Sequence, residues 1–267
     1  RDGFAGRFPN VANDLGDLRR VEWSTAQCLK ETGLAPMDYC RVASLQPPDV
    51  VLIGDSHAAV LYDGLVDGFR KRSQTLMNLG QAGCVPFYDT DTVSPGGRQS
   101  DCQPAVNRMM EFATKTASVR TIILSLRGPR YIPGVGFSPS DARAAPKKLL
   151  WTGALKNSDQ AAVFKAALEN TVSRLDATGK RIILVLDWPE LGFDPRSCLP
   201  RPVSLFSSPK ALCGVPRAQV DARNRDYREL ASKLEKEFPD ESARPSSVPL
   251  RSYSLLCNEE WSSPIFG

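Results

Sequence analysis

Residues 50–65, VVLIGDSHAAVLYDGL, carry the sequence pattern that indicates the fold class. They open with four apolar β-formers in an unbroken run, which is the pattern of a short strand buried on both faces of a sheet. A Gly-Asp-Ser-His corner follows, and Leu61, Leu65 and Phe69 then recur at the spacing of one helix face. A buried strand that passes directly into a helix is the repeating unit of a parallel α/β sheet.

The same alternation of strand and helix continues along the chain. Strand-like segments follow at 74–80, 119–126, 181–188 and 247–256. Residues 157–180 have a helical pattern, with Ser158 as the N-cap and Gly179 as the stop. The order predicts an α/β fold with a doubly wound parallel sheet of about five strands and helices on both faces. We expect residues 46–267 to form this domain. Residues 1–45 begin with a polar, turn-rich stretch and are expected to be a linker or extension packed on it.

The composition is that of an ordinary globular protein and excludes several functions. Of the 267 residues 42% are hydrophobic and 24% charged, with a net charge of +4. Lysine and arginine form no basic stripe interleaved with aromatic residues, which argues against a nucleic-acid partner. No segment approaches the length of a transmembrane span. Because the chain begins at Arg1 and lacks a signal peptide, we expect an excised domain or a processed fragment.

The cysteines indicate disulfides rather than a metal site. Six of the seven fall into local pairs outside the strand-like segments: Cys28–Cys40, Cys84–Cys102 and Cys198–Cys213. Zinc is the alternative, but the chain has no CxxC spacing and a single histidine, so we expect no metal. Local disulfides indicate an oxidising compartment. Cys257 is left unpaired, which indicates a missing partner cysteine.

Ser56 is the candidate nucleophile. It follows a buried strand and opens a helix, where N-terminal amides stabilise an anion. A serine at this position is equally typical of an ordinary N-cap. His57 is the only histidine, and its ring should point away from the Ser56 hydroxyl because adjacent helical residues do not face each other. Asp55 is expected to hold the corner by local hydrogen bonds.

Further titratable groups follow the fourth strand, in the sequence LDWPELGFDP. The carboxylates there are Asp187, Glu190 and Asp194. They are candidate bases at the carboxyl edge of the sheet, where functional groups gather in such folds. The same stretch is equally typical of a turn with solvated acids.

Four stretches in a fixed order carry a family resemblance. IGDSHA, QAGCVPF, TIILSLRGPRY and LDWPELGFDPRSCLPRP resemble the SGNH hydrolase superfamily. More narrowly, they resemble the SGNH domain fused behind the membrane-embedded acyltransferase-3 domain of bacterial O-antigen and cell-envelope acetyltransferases. The resemblance implies that Ser56 is the nucleophile and that the backbone N–H groups of Ser56 and Gly83 belong to the oxyanion hole. The asparagine typical of the third block is absent. Arg127 is the nearest replacement donor, or it pairs with a carboxylate at the rim.

The chain departs from the family at its end. The resemblance places the general base on an Asp-x-x-His segment near the C-terminus, whereas this chain ends LLCNEEWSSPIFG and has no histidine after His57. A second cysteine expected shortly after Cys257 is also missing. Both absences indicate that the final segment has been lost, and we expect severely reduced turnover.

The function implied by the resemblance is O-acetyl transfer to a sugar of a cell-envelope polysaccharide or lipopolysaccharide, through an acyl-enzyme on Ser56. The acyl donor would come from the membrane acyltransferase-3 domain, and no cofactor is expected. The location implied is periplasmic, with a tether to the inner membrane in the full-length protein. One alternative is a non-catalytic glycan-binding module that uses rim aromatics, namely Trp151, Trp188, Tyr131 and Phe137. Another is a carbohydrate esterase, which would differ in using water as the acceptor.

Overall fold

The computed structural model describes residues 22–34, 37–93, 101–137, 146–153, 159–193, 214–238 and 261–262. The helices are α1 Ala26–Thr32, α2 Ser56–Arg70, α3 Cys102–Lys115, α4 Gly128–Tyr131, α5 Gln160–Asp176 and α6 Arg217–Glu237. The strands are β1 Tyr39–Val42, β2 Val50–Gly54, β3 Leu76–Gly80, β4 Thr90–Val93, β5 Thr121–Ser125, β6 Lys148–Trp151, β7 Arg181–Val185, β8 Val215–Pro216 and β9 Trp261–Ser262.

The central sheet has five strands in the order β1-β3-β2-β5-β7. Strands β3, β2, β5 and β7 are parallel, which confirms the doubly wound arrangement. The prediction of an all-parallel sheet is wrong at one edge, because β1 pairs antiparallel with β3 and comes from the region expected to be an extension. The predicted strand at 247–256 lies outside the described residues.

The two faces of β2 divide the core into layers. Val51 and Ile53 belong to a cluster that contains Met109 and Met110 of α3, whereas Val50 and Leu52 pack with α2. This division follows from the two-residue period of a strand, which sends successive side chains to opposite faces. With helices on both faces, the fold has the three layers that the sequence predicts.

Two smaller two-stranded sheets lie beside the main one, β4 with β6 and β8 with β9. The predicted disulfides Cys28–Cys40 and Cys84–Cys102 are present. Cys198, Cys213 and Cys257 lie outside the described residues. The N-cap of α5 is Asp159, whose carboxylate accepts a hydrogen bond from the Ala162 N–H at 2.6 Å, so the prediction of Ser158 is wrong.

The topology places a candidate ligand-binding crevice at the carboxyl end of β2. The chain leaves β2 to build β3 on one side and later returns to build β5 on the other. In open α/β sheets, ligands bind in the crevice that forms where the winding changes direction. Ser56 directly follows this point. No described helix has the length and apolar character needed to cross a membrane.

Candidate active site

The corner after β2 presents the Ser56 hydroxyl to solvent. The N-cap of α2 is Asp55, whose Oδ1 accepts a hydrogen bond from the His57 N–H at 2.8 Å. Of the two interpretations that the sequence left open for Ser56, the ordinary N-cap is excluded: Ser56 is the first helical residue, and its side chain is exposed. No hydrogen bond of its hydroxyl to any described residue is found. Capping is done by the neighbouring residue, which leaves this hydroxyl available for chemistry.

Asp55 fastens the corner to the segment after β5. Its Oδ2 accepts a hydrogen bond from the Arg127 N–H at 3.1 Å. Burial, reinforced by the negative charge of Asp55, raises the pKa of Tyr131 well above its ordinary value, so the phenol stays neutral. Asp55 is 2% exposed, and the hydrogen bonds from the His57 and Arg127 N–H groups satisfy its buried charge.

The imidazole of His57 is fixed by two residues that follow β7. Its Nδ1 lies 2.8 Å from Oδ1 of Asp187, and its ring stacks on that of Trp188 with centroids 4.8 Å apart and planes 7° from parallel. The Trp188 N–H donates to the same carboxylate oxygen at 3.0 Å. This hydrogen bond to Asp187 assigns the Nδ1–H form to the ring and leaves Nε2 as the acceptor when the imidazole is neutral.

Burial and charge act in opposite directions on His57. Burial alone lowers the pKa of the imidazole, but the hydrogen bond and the negative charge of Asp187 outweigh it, and the pKa of His57 lies above its ordinary value of 6.5. The side chain of Asp187 is 1% exposed, and burial raises its pKa while the bond to His57 opposes the rise. The raised pKa of His57 means that the pair favours a protonated ring, because a hydrogen-bonded carboxylate directly stabilises the imidazolium.

Arg127 is bound to a buried carboxylate. Its Nε donates to Oε1 of Glu190 at 2.6 Å, and Arg223 of α6 donates to the other oxygen, Oε2, at 2.6 Å. The side chain of Glu190 is 3% exposed, so one buried acid holds two guanidinium groups. The rim pairing that the sequence left open is therefore observed, and the oxyanion role of Arg127 stays a prediction.

Gly83 takes a backbone conformation that favours glycine, with φ of +70°. A Cβ at this residue would lie 3.0 Å from Nζ of Lys147, so a lysine ammonium occupies the space beside the turn. Burial and the charge of Arg130 lower the pKa of Lys147, and the negative charge of Asp55 opposes the shift. Lys147 escaped prediction from the sequence because no motif marks the segment that carries it.

Of the four candidate glycan-binding aromatics, Phe137 lines a cleft. The cleft has a volume of about 320 Å³, and its walls also include Phe193 and Val215. Tyr131 is 2% exposed and belongs to the core, which rules out sugar stacking on its ring. Trp188 stacks on His57, and Trp151 packs partly buried against the core cluster that contains Tyr131. Asp194 lies outside the described residues.

The described residues contain no group of three or more His, Cys, Asp or Glu side chains arranged to hold a metal ion. The titratable groups that follow β2, β5 and β7 are instead bonded to one another. Asp187 faces His57, and Glu190 faces two arginines.

Comparisons with known proteins give one family and one fold match. The family described as "SGNH domain (fused to AT3 domains)" matches residues 27–260. Among solved structures, the chain is similar to "Structure of Salmonella ser. Paratyphi A lipopolysaccharide acetyltransferase periplasmic domain". The TM-score is 0.56 at 16% identity, over 99% of this chain and 88% of that one. At this identity the match shows the fold alone. No curated protein sequence matches the chain.

Proposed function

Because the chain belongs to the family of SGNH domains that are fused to AT3 domains, we propose that it transfers an O-acetyl group through a covalent intermediate on Ser56. The acceptor is a sugar of a cell-envelope polysaccharide or lipopolysaccharide. One observation carries the proposal. Asp55 caps α2, so Ser56 is left exposed at the first helical residue, where backbone amides favour negative charge.

The reaction has two displacement steps at this serine. Ser56 Oγ attacks the carbonyl carbon of the donor, the bond from that carbon to the leaving group breaks, and the serine proton passes to the leaving group, so that an acetyl ester of Ser56 forms. A sugar hydroxyl then attacks the same carbon, the ester bond to Ser56 Oγ breaks, and the proton of the sugar hydroxyl passes to Oγ. In both steps the carbonyl oxygen becomes an oxyanion, and the N–H groups of Ser56 and Gly83 are the donors that the proposal assigns to it.

Proton transfer from Ser56 limits the rate in this chain. Ordinary serine hydroxyls need a general base to become nucleophilic. The chain has one histidine, His57, and no hydrogen bond between its Nε2 and the Ser56 hydroxyl is found among the described residues. The family's base segment, Asp-x-x-His, is not present in these 267 residues. We therefore expect slow acylation by the chain alone.

The family supports a proposal for the acyl donor and the compartment. A fused AT3 domain would deliver the acetyl group through the membrane to an SGNH domain on the extracytoplasmic side, tethered at the inner membrane. The similar Salmonella structure is that of the periplasmic domain of a lipopolysaccharide acetyltransferase, which supports this assignment. The disulfides Cys28–Cys40 and Cys84–Cys102 also fit an oxidising compartment.

The cleft lined by Phe137, Phe193 and Val215 is the proposed acceptor site. Phe137 and Phe193 supply apolar rings to its wall. Arg223, which binds Glu190, lies with its guanidinium 5.8 Å from the Phe137 ring and donates to the Val135 carbonyl. This cleft also favours the second candidate function, a non-catalytic glycan-binding module.

The test is intact-mass spectrometry after exposure to a serine-directed fluorophosphonate or an activated acetyl ester. Wild-type chain and Ser56→Ala are compared, with Ser73→Ala as the control at another described serine. We expect one adduct in the wild type and in Ser73→Ala, and none in Ser56→Ala. A folded wild-type chain without an adduct would contradict the acyl-enzyme and favour the binding module.

Product identity separates a transferase from an esterase. The acetylated chain is incubated with and without a cell-envelope oligosaccharide, and acetylated sugar and free acetate are quantified. Transfer predicts that the sugar gains the acetyl group at the expense of acetate. Acetate release that is unchanged by the sugar would identify a carbohydrate esterase, in which water is the acceptor.

A further inference from the structure

Lys147 places an ammonium group beside the turn that carries Gly83. Its Nζ lies 3.0 Å from the position that a Cβ of Gly83 would occupy. The side chain is half-buried, and no hydrogen bond or ion pair of its ammonium to a described residue is found. Partial burial of a cation that has no ionic partner among the described residues carries a cost, which a bound anion would offset.

The backbone around Lys147 is bonded to the segment that contains Tyr131 and Gly134. The Lys147 N–H donates to the Gly134 carbonyl at 2.8 Å. In β6, the Leu149 N–H donates to Oε1 of Gln160, whose Nε2 donates to the carbonyl of Tyr131. The negative charge of Asp55, the residue before Ser56, raises the pKa of the buried Tyr131. The Gln81 N–H donates to the Gly54 carbonyl at 3.3 Å, so the turn that Lys147 approaches lies beside the corner that carries Ser56.

The other cations at the rim have partners. The Arg127 guanidinium is bound to Glu190, and so is that of Arg223. Lys147 differs from them in approaching Gly83, and the negative charge of Asp55 is near enough to act on its pKa. Lys147, the residue that precedes β6, therefore supplies a positive charge at the Gly83 turn.

We propose that the ammonium of Lys147 binds the oxyanion that forms on the acyl group at Ser56, together with the Gly83 N–H. The inference rests on the proposed acyl transfer and adds a charge donor to it. The third block of this chain lacks the asparagine that would otherwise donate there. A preorganised cation in a partly dry site stabilises developing negative charge without reorganising at the moment of reaction.

Acylation of Ser56 is the first arm of the test. The rate of adduct formation with an activated acetyl ester is compared for wild type, Lys147→Met and Lys148→Met. Lys148 is the matched control, because it is the adjacent lysine and its side chain is exposed. We expect Lys147→Met to slow acylation by about 100-fold, the usual effect of removing one oxyanion donor, and Lys148→Met to leave the rate unchanged. Thermal melts establish that both variants are folded.

Anion binding is the second arm, and it does not require a reactive serine. Dimethylphosphinate, a stable tetrahedral monoanion, is titrated into ¹⁵N-labelled chain, and the Gly83 amide resonance is followed. We expect Lys147→Met to weaken binding by at least about tenfold, in line with the loss of a charged hydrogen bond. Equal binding by Lys147→Met and wild type overturns the inference, as does the absence of any Gly83 shift in wild type. A wild type that binds the anion but forms no adduct would refute the acyl-enzyme while keeping the anion site.

Discussion

The Nδ1 atom of His57 lies 2.8 Å from the Oδ1 atom of Asp187, although 130 residues separate them in sequence. His57 belongs to the first turn after β2, and Asp187 follows β7, which lies two positions away in the sheet. The pair thus joins two ends of the same rim across β5. A buried carboxylate that orients an imidazole is the arrangement that sets the protonation state of the ring.

The first prediction concerns the pKa of His57. Because His57 is the only histidine, its Cε1–H signal in a proton NMR titration is unambiguous. We expect the titration midpoint of the wild type to lie above 6.5, the ordinary value. In Asp187→Asn the carboxylate is gone while burial persists, so the midpoint should fall below that of the wild type. Equal midpoints would show that Asp187 does not hold the imidazolium.

The second prediction follows from the same pair and concerns stability. The pKa of His57 is higher in the folded chain than in the unfolded one, so protonation favours folding. This contribution is full below about pH 6.5 and is lost as the pH rises through the folded-state pKa. The free energy of unfolding of wild type relative to Asp187→Asn should therefore be larger near pH 6 than near pH 9. Urea titrations at both pH values measure it, and a difference that grows with pH would contradict the assignment.

The third prediction concerns close backbone contact at the end of β2. A Cβ on Gly54 would lie 1.8 Å from the Ser125 carbonyl oxygen, so Gly54→Ala must separate β2 from β5. We expect a loss of about 3 kcal/mol in unfolding free energy or more, together with loss of Ser56 labelling. Gly64→Ala, on the exposed side of α2, is the control and meets no atom within 4 Å. It should stabilise the chain by about 0.5–1 kcal/mol, since alanine favours a helix.

The fourth prediction concerns the Glu190 cluster. Glu190→Gln removes the charge that holds Arg127 and Arg223 while keeping the shape of the side chain. Two guanidinium groups then lose their shared counter-charge, and we expect a cost of about 3 kcal/mol. Asp67→Asn is the control, because its pair with Arg70 is exposed at the surface and should leave the denaturation midpoint unchanged. A Glu190→Gln midpoint equal to that of wild type would mean that the cluster adds no net stability.

Local pattern was enough to predict the corner and most of the sheet. The strand β2 and the start of α2 are contiguous, and apolar periodicity marks both. The antiparallel strand β1 escaped prediction, because its four residues have too short a pattern and its partner, β3, lies far along the chain. Short edge strands are defined by pairing, which local sequence patterns do not reveal.

The site was predictable only in its parts. His57 and Asp187 were both candidates, but nothing in either segment reveals that they form a pair. Arg223 was not predicted as a site residue. The sequence pattern of α6 marks its apolar face, whereas Arg223 lies on the polar side of the helix and binds Glu190. The sequence also left open whether Ser56 caps α2, because aspartate and serine are adjacent there and both are good N-caps.

The disulfide Cys84–Cys102 starts one residue after Gly83, so it ties that turn to the first residue of α3. Both cysteines are buried, and a reductant reaches them only when the segment opens. Reduced and oxidised samples of the protein therefore differ at this turn. The disulfide holds the turn in place in oxidised samples, whereas the turn is free to move in reduced ones. Kinetic comparisons should therefore state whether the protein was exposed to a thiol reductant, together with its concentration and pH.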